Sequence, residues 1–283
     1  MLLFLLACTG PDKPDGASGL PFALPSADLG APLTAGAGLD PSDADGIGLA
    51  LDALLPVFDA TAGADPAWDT PMAVWALLEP DTVRDRGVCP IERIDDGVTT
   101  HVGGCRSSSG YEFTGELSTH EWEEAGVDYY RLEADLEVVG DTEGAAFDRV
   151  RIVGALQRAA PEDGAVDAHL DLNLHIEVDG YFEAQHTLDD PRLDAWRSWT
   201  VSGSLEQAAG AWVVGVAADI GGAGGLLVES TTLTQKSTCP IEAVGEATLG
   251  DGVTAIFEGV ASCDACARVT SDAGEVLACA PPN

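Results

Sequence analysis

Two stretches of the chain alternate apolar and polar residues with a period of two. Over 130–138 the even positions are Tyr130, Leu132, Ala134, Leu136 and Val138, and the odd positions between them are Arg131, Glu133, Asp135 and Glu137. Over 169–179, Leu170, Leu172, Leu174, Ile176 and Val178 alternate with His169, Asp171, Asn173, His175, Glu177 and Asp179. Successive side chains of a strand point to opposite faces. Both stretches therefore predict strands with one buried and one wet face, the mark of an antiparallel sheet. Further strands are expected near 110–117, 148–157, 198–206, 211–220, 226–236, 241–249 and 252–260. The run Gly221-Gly222-Ala223-Gly224-Gly225 reads as a flexible turn between two of them.

Before residue 89 the period changes. Ile47, Leu51, Leu54, Leu55 and Phe58 fall on one helical face, with Asp43 or Asp45 as the cap and Pro56 as an interruption. A second short helix is expected from Asp69 or Thr70, with Pro71 at its first position, a body over Met72–Glu79 and a stop at Pro80. Both helices read as core packers.

A recurrence shapes the expected sheet. Tyr111-Glu112-Phe113-Thr114-Gly115-Glu116-Leu117 resembles Trp199-Thr200-Val201-Ser202-Gly203-Ser204-Leu205, and Val150-Arg151-Ile152-Val153-Gly154-Ala155-Leu156 follows the same template. Each places a glycine on the apolar face two residues before a leucine. Such a glycine lets a sheet bend sharply or a neighbour approach closely. The expectation is a mainly β fold with a strongly curved antiparallel sheet, a barrel or half-barrel around a short N-terminal helical segment.

Composition narrows the function. The 283 residues suit one large domain or one domain with appendages, and 46% hydrophobic content excludes wholesale disorder. Asp and Glu number 48 against 13 Lys and Arg, a net charge of −35, and the only lysines are Lys13 and Lys236. A surface this anionic repels phosphate and anionic headgroups, which argues against nucleic-acid binding and electrostatic docking on membranes. No apolar run reaches the roughly 18 residues of a transmembrane helix. Strands spanning a membrane as a barrel are disfavoured, because the wet faces are too charged for a narrow lumen and aromatic girdles are lacking. Abundant Asp and Glu with little Lys also suits a high-salt habitat, where a hydrated anionic surface stays soluble.

The chain opens Met1-Leu2-Leu3-Phe4-Leu5-Leu6-Ala7-Cys8-Thr9. An apolar run directly before a cysteine resembles a bacterial lipoprotein signal, with Leu5-Leu6-Ala7-Cys8 as the lipobox. The resemblance implies that 1–7 is a signal peptide cut before Cys8. It also implies that Cys8 is acylated and that the acyl chains hold the protein on a bilayer at about 0.8 kcal/mol per buried methylene. Thr9, in place of the aspartate that marks inner-membrane retention in such proteins, implies the outer membrane. Residues 8–45, rich in Pro, Gly, Ala and Asp without apolar periodicity, read as a disordered tether. The helical segment then covers 46–88 and the β domain 89–283.

Removing Cys8 leaves six cysteines, an even number that in an exported protein reads as three disulfides. Cys89-Pro90-Ile91-Glu92 recurs as Cys239-Pro240-Ile241-Glu242. Asp-Gly-Val-Thr follows each, at 96–99 and 251–254, and a cysteine closes each unit, Cys105 and Cys263. Each Asp-Gly marks a tight turn within a hairpin, so hairpins are expected at 89–105 and 239–263. The repeat pairs Cys89 with Cys105 and Cys239 with Cys263, leaving Cys266 with Cys279. The competing reading of Cys263-Asp264-Ala265-Cys266 is a redox pair, or half of a zinc site with Cys239 and Cys279.

Catalytic signatures are absent. There is no Gly-x-Ser-x-Gly, His-Glu-x-x-His or Walker phosphate loop. Ser107-Ser108-Ser109-Gly110 reads as a polar turn. His169 and His175 share a face but stand about 20 Å apart along a strand, too far to ligate one metal. His169 and Asp171, about 7 Å apart, are close enough to share an ion with a neighbouring strand. The best calcium candidate is Asp43, Asp45 and Asp52 around Gly46, although Pro41 stands where the first acidic ligand belongs. No other cofactor is indicated.

These features point to a lipid-anchored envelope protein, on the periplasmic face or cell surface, with a non-enzymatic structural or interaction role and an envelope protein as partner. One alternative is a binding module holding an apolar ligand or lipid in its curved sheet. A weaker one is a hydrolase with a site assembled from distant strands.

Overall fold

A computed structural model describes residues 88–140, 147–161, 168–180, 198–208, 211–220, 226–235, 243–248, 253–258, 266–272 and 274–279, with Leu29, Ile47, Pro71, Met72, Val74, Trp75 and Leu78. Fourteen strands follow in chain order: β1 (Ile91–Asp95), β2 (Val98–Val102), β3 (Cys105–Arg106), β4 (Tyr111–Glu124), β5 (Val127–Gly140), β6 (Arg149–Pro161), β7 (Ala168–Asp179), β8 (Ser198–Ala208), β9 (Ala211–Ile220), β10 (Leu226–Gln235), β11 (Ala243–Thr248), β12 (Thr254–Glu258), β13 (Cys266–Ser271) and β14 (Gly274–Cys279). All belong to one antiparallel sheet in which each strand lies beside its neighbour in sequence, except that β3 joins β2 in pairing with β4. The β fold and antiparallel pairing agree with the expectation from period-two alternation.

The curvature does not. The sheet is open, with β1 and β14 as its edges, and it is neither closed nor strongly curled. Two of the three template glycines, Gly115 and Gly154, make close approach. Gly115 (φ +88°) and Gly154 (φ +116°) sit in strand interiors, where the carbonyl oxygens of Asp135 and Asn173 on the next strand occupy the space a Cβ would need. A side chain there would displace the neighbouring backbone, so the glycines serve strand pairing.

Alternation does the rest. In β7 every second residue is buried, from Ala168 to Val178. Leu172 and Leu174 are 1% exposed and join Phe113, Leu117, Leu132, Leu136, Ile152 and Leu156 in one apolar cluster. Truncating a leucine in such a core costs about 2–5 kcal/mol. The same cluster takes in Ala255, Phe257, Ala267 and Val269 of β12 and β13, and also Ile47, Val74 and Leu78.

No continuous helix is defined among the described residues. Ile47, Pro71, Met72, Val74, Trp75 and Leu78 individually have helical backbone. Ile47, Val74 and Leu78 are buried, while Met72 and Trp75 pack against the cluster partly exposed. Apart from Val88, the remainder of the expected 46–88 segment lies outside the described residues.

The polar face is not uniformly wet. Ala155, Gln157 and Ala159 of β6 point away from the apolar cluster yet are 7%, 2% and 0% exposed. Nearby, the Asn173 side-chain amide donates to the Leu29 carbonyl at 2.8 Å. At this residue the stretch expected to be a free tether is held against the sheet.

Cys89 is bonded to Cys105 and Cys266 to Cys279. Both bridges stand at the sheet's ends: Cys89 lies just before edge strand β1, and Cys266 faces Cys279 directly across β13 and β14. The thiols of Cys266 and Cys279 are thereby taken from the zinc and redox readings. Cys239 and Cys263 lie outside the described residues. Asp96 (φ 47°) and Gly97 (φ 80°) form the expected two-residue turn between β1 and β2. In the second repeat Ile241, Glu242, Asp251 and Gly252 lie outside the described residues, and β11 begins at Ala243. A longer connection also separates the paired Thr248 and Thr254.

Candidate functional site

The densest polar chemistry among the described residues lies on the outer face of β5 to β8. Register aligns the odd positions of β5, β6 and β7 in rows. Glu137 faces Arg151, which faces Glu177, and Arg149 faces Asp179. Arg149 is the hub of this corner. Its Nε donates to Glu137, and its Nη1 lies 3.0 Å from a Glu177 carboxylate oxygen and 3.6 Å from one of Asp179. The Glu137 hydrogen bond and the three surrounding carboxylates raise the guanidinium pKa above its ordinary value.

His175 sits one row along. Its Nδ1 is 2.7 Å from the Thr200 hydroxyl on β8, and its Nε2 is 3.2 Å from Glu177. His175 donates from Nε2 to Glu177, while Nδ1 accepts from the Thr200 hydroxyl when the ring is neutral and donates to it when the ring is charged. Burial alone would raise the Glu177 carboxyl. The hydrogen bonds and charges of His175 and Arg149 outweigh it and hold that carboxyl below its ordinary range.

Threonine, histidine and glutamate in series resemble a nucleophile, base and orienting acid. β7 and β8 are interior strands paired on both sides, so their amides are committed to the ladder and offer no oxyanion donors. The arrangement is a cross-strand polar lattice.

His169 and Asp171 come together as the spacing suggested, at 3.7 Å. Desolvation raises the Asp171 carboxyl, and the charge of His169 and a hydrogen bond from Gln157 only partly offset it. No group of three or more His, Cys, Asp or Glu side chains among the described residues is placed to hold a metal ion. The calcium candidates Asp43, Asp45 and Asp52, and the acylation candidate Cys8, lie outside the described residues. Ser107 is a turn residue, as read. Its hydroxyl accepts from the Tyr111 amide at 3.1 Å and lies 2.9 Å from the Ser109 hydroxyl.

Two features escaped the sequence reading. A shallow recess of about 290 Å³ on the outer face is lined by Leu29, Glu116, Ser118, Glu133, Asp135 and Ala155. At the far end of the β4–β5 hairpin, His120, Trp122 and Tyr129 stack in series, with ring centroids 4.7 and 5.1 Å apart. The Trp122–Tyr129 pair was detectable in principle, because Glu124 pairs with Val127 and places the two rings opposite each other. The Arg149 hub also left a signal, since two of the scarce cations, Arg149 and Arg151, occupy successive outer positions of β6.

Comparison with protein-family models, curated proteins and solved structures finds no match for this chain.

Proposed function

We propose that this is a lipid-anchored cell-envelope protein with a non-enzymatic structural or interaction role, held on the outer membrane through Cys8. The observation that carries the reading is the filled apolar face. Leu117, Leu132, Leu156, Leu172 and Leu174 are at most 1% exposed, and Val74 and Leu78 pack into the same cluster. A carrier of lipid or another apolar ligand needs an apolar cavity of about 300 Å³ or more. Among the described residues that face is occupied by the chain's own side chains, whereas the described recess lies on the polar face and is bordered by Glu116, Glu133 and Asp135. The lattice around His175 and Arg149 stiffens that outer face as a contact surface, and among the described residues the paired amides of β7 and β8 leave no backbone oxyanion donor beside it. No helix among the described residues is long and apolar enough to cross a membrane, so the proposed attachment rests on the acyl chains.

The test is mass spectrometry of the protein extracted from its native membrane, under native and then denaturing, non-reducing conditions. The expected result is a chain beginning at acylated Cys8, with three disulfides and no small-molecule increment. A chain retaining residues 1–7 without acylation would overturn the anchor. A reproducible lipid-sized increment in the native mass would overturn the non-carrier role.

A further inference from the structure

One row of side chains on the sheet's outer face is covered. Register sets Ser118, Glu133, Ala155, Asn173 and Ser202 side by side across β4 to β8. Ala155 and Ser202, the neighbours of Asn173 on either side, are 7% and 5% exposed. Along β7 itself the next outer residues, Asp171 and His175, stay half-buried. The cover over Asn173 therefore crosses the strands instead of following β7. Gln157, one row along, is buried as well and hydrogen-bonds Asp171.

Leu29 lies against this row. Its carbonyl accepts from the Asn173 side-chain amide at 2.8 Å, and it borders the recess together with Ser118, Glu133 and Ala155, three members of the row. We propose that the row is a docking seat for the chain's own N-terminal segment centred on Leu29, with Asn173 as the residue that positions it. The side chains suit that occupant. Ala155 is small and leaves space above β6 for a peptide. Asn173 is one of two asparagines in the chain, and its outer neighbours along β7 are aspartate and histidine. A carboxylate at 173 could not donate to a carbonyl, whereas the neutral amide can. The recess beside Leu29 is bordered by Glu116, Glu133 and Asp135, so it favours an uncharged residue there over an acidic one.

The seat shortens the tether. The free stretch between Cys8 and the sheet ends at Leu29 and not at residue 45, and it spans about 70 Å at full extension. That consequence rests on the proposed anchor at Cys8, but the docking itself does not.

The experiment is limited proteolysis of the full chain with a broad-specificity protease, the cuts mapped by mass spectrometry and far-UV circular dichroism melts as the folding control. Each rate is divided by that of the same variant unfolded in urea, which removes differences in site preference. The expected result is slow cleavage within residues 25–33 of the wild-type chain. Asn173→Asp removes the donor at nearly unchanged size, and Leu29→Asp sets an acid beside the acidic recess. Each speeds cleavage in that window about three- to tenfold, the shift in open population that losing one such contact gives. Leu29→Asp leaves the sheet's own residues intact, so it keeps the test decisive if Asn173→Asp weakens β7. Equal rates for the wild type and Leu29→Asp overturn the proposal. Protection that grows with protein concentration overturns it too, because the seat is then filled by a second copy. An unacylated Cys8 would remove the anchor and leave these rates unchanged, so the two readings fail separately.

Discussion

Asp171 shows how a single side chain on the polar face bears a cost that its neighbours only partly offset. Desolvation lifts its pKa despite His169 and Gln157. A carboxyl with a raised folded-state pKa contributes stability that is fully present below its unfolded pKa and is lost as pH rises through the folded value. At neutral pH the charged form is therefore a liability. Asp171→Asn keeps an acceptor for Gln157 and removes the charge, so it is expected to stabilise the fold at pH 7 by about 1 kcal/mol. The advantage should vanish once the pH falls below the ordinary aspartate range. Thermal melts of both proteins across pH measure this, and a lower melting temperature for Asp171→Asn at pH 7 would mean that the ion pair with His169 outweighs desolvation. This part of the site was legible, since His169 and Asp171 sit two residues apart on a clean alternation. Thr200 was not, because its place beside His175 depends on the register between β7 and β8, and one strand's periodicity carries no information about its partner's offset.

At the scale of elements, staples and edges coincide. An edge strand is hydrogen-bonded on one side only and frays first. The described bridges tie down both ends: Cys89–Cys105 beside β1, and Cys266–Cys279 across β13 and β14. Replacing Cys266 and Cys279 together by serine is expected to cost about 3 kcal/mol on the chain-entropy scale for a loop of this length. The loss should be local. Hydrogen exchange should accelerate at β13 and β14 while the β5–β7 amides keep their protection. Equal acceleration in β5–β7 would show that the bridge supports the whole sheet. The same elements mark where sequence patterning reads well. β5 and β7 stood out because five apolar positions in each alternate with charge. β4 and β5 run on to Glu124 and Val127, well past the patterned stretches, where none of the strand residues from Ser118 to Arg131 is buried and no apolar face marks the strand. β13 and β14 were hidden among the cysteines: Ala267 and Val269 are too short a run to compete with a Cys-x-x-Cys motif. Of the two consequences the glycine template allowed, close approach is present at Gly115 and Gly154 and strong curvature is not; composition alone does not separate them, and the carbonyls of Asp135 and Asn173 decide it.

For the molecule as a whole, the balance between attraction and repulsion is set by numbers. Thirteen cations face 48 carboxylates. Among the described residues the ion pairs are concentrated at a few arginines, Arg149 above all, and are partly exposed: the Arg149 side chain is 33% exposed and its partners 34–49%. Pairs of that exposure contribute about 0–1 kcal/mol each, whereas each unpaired carboxylate is repelled by many others within reach. Salt at 0.1 M shortens that reach to about 10 Å, weakening the general repulsion and the few pairs together. Because repulsion is the larger sum, added sodium chloride is expected to raise the melting temperature steeply at first and then level off as the screening length falls below the spacing of neighbouring acids. An uncharged osmolyte at equal osmolality is the control, since it stabilises by exclusion and should give a gradual rise without that early step. A melting temperature that falls with salt would place the arginine lattice above the net charge in the energetics. It would then recast the outer face as a surface held together by its ion pairs. A steep rise would instead mean that the lattice works against a field the whole surface creates, and that the fold is suited to surroundings where salt supplies the missing cations.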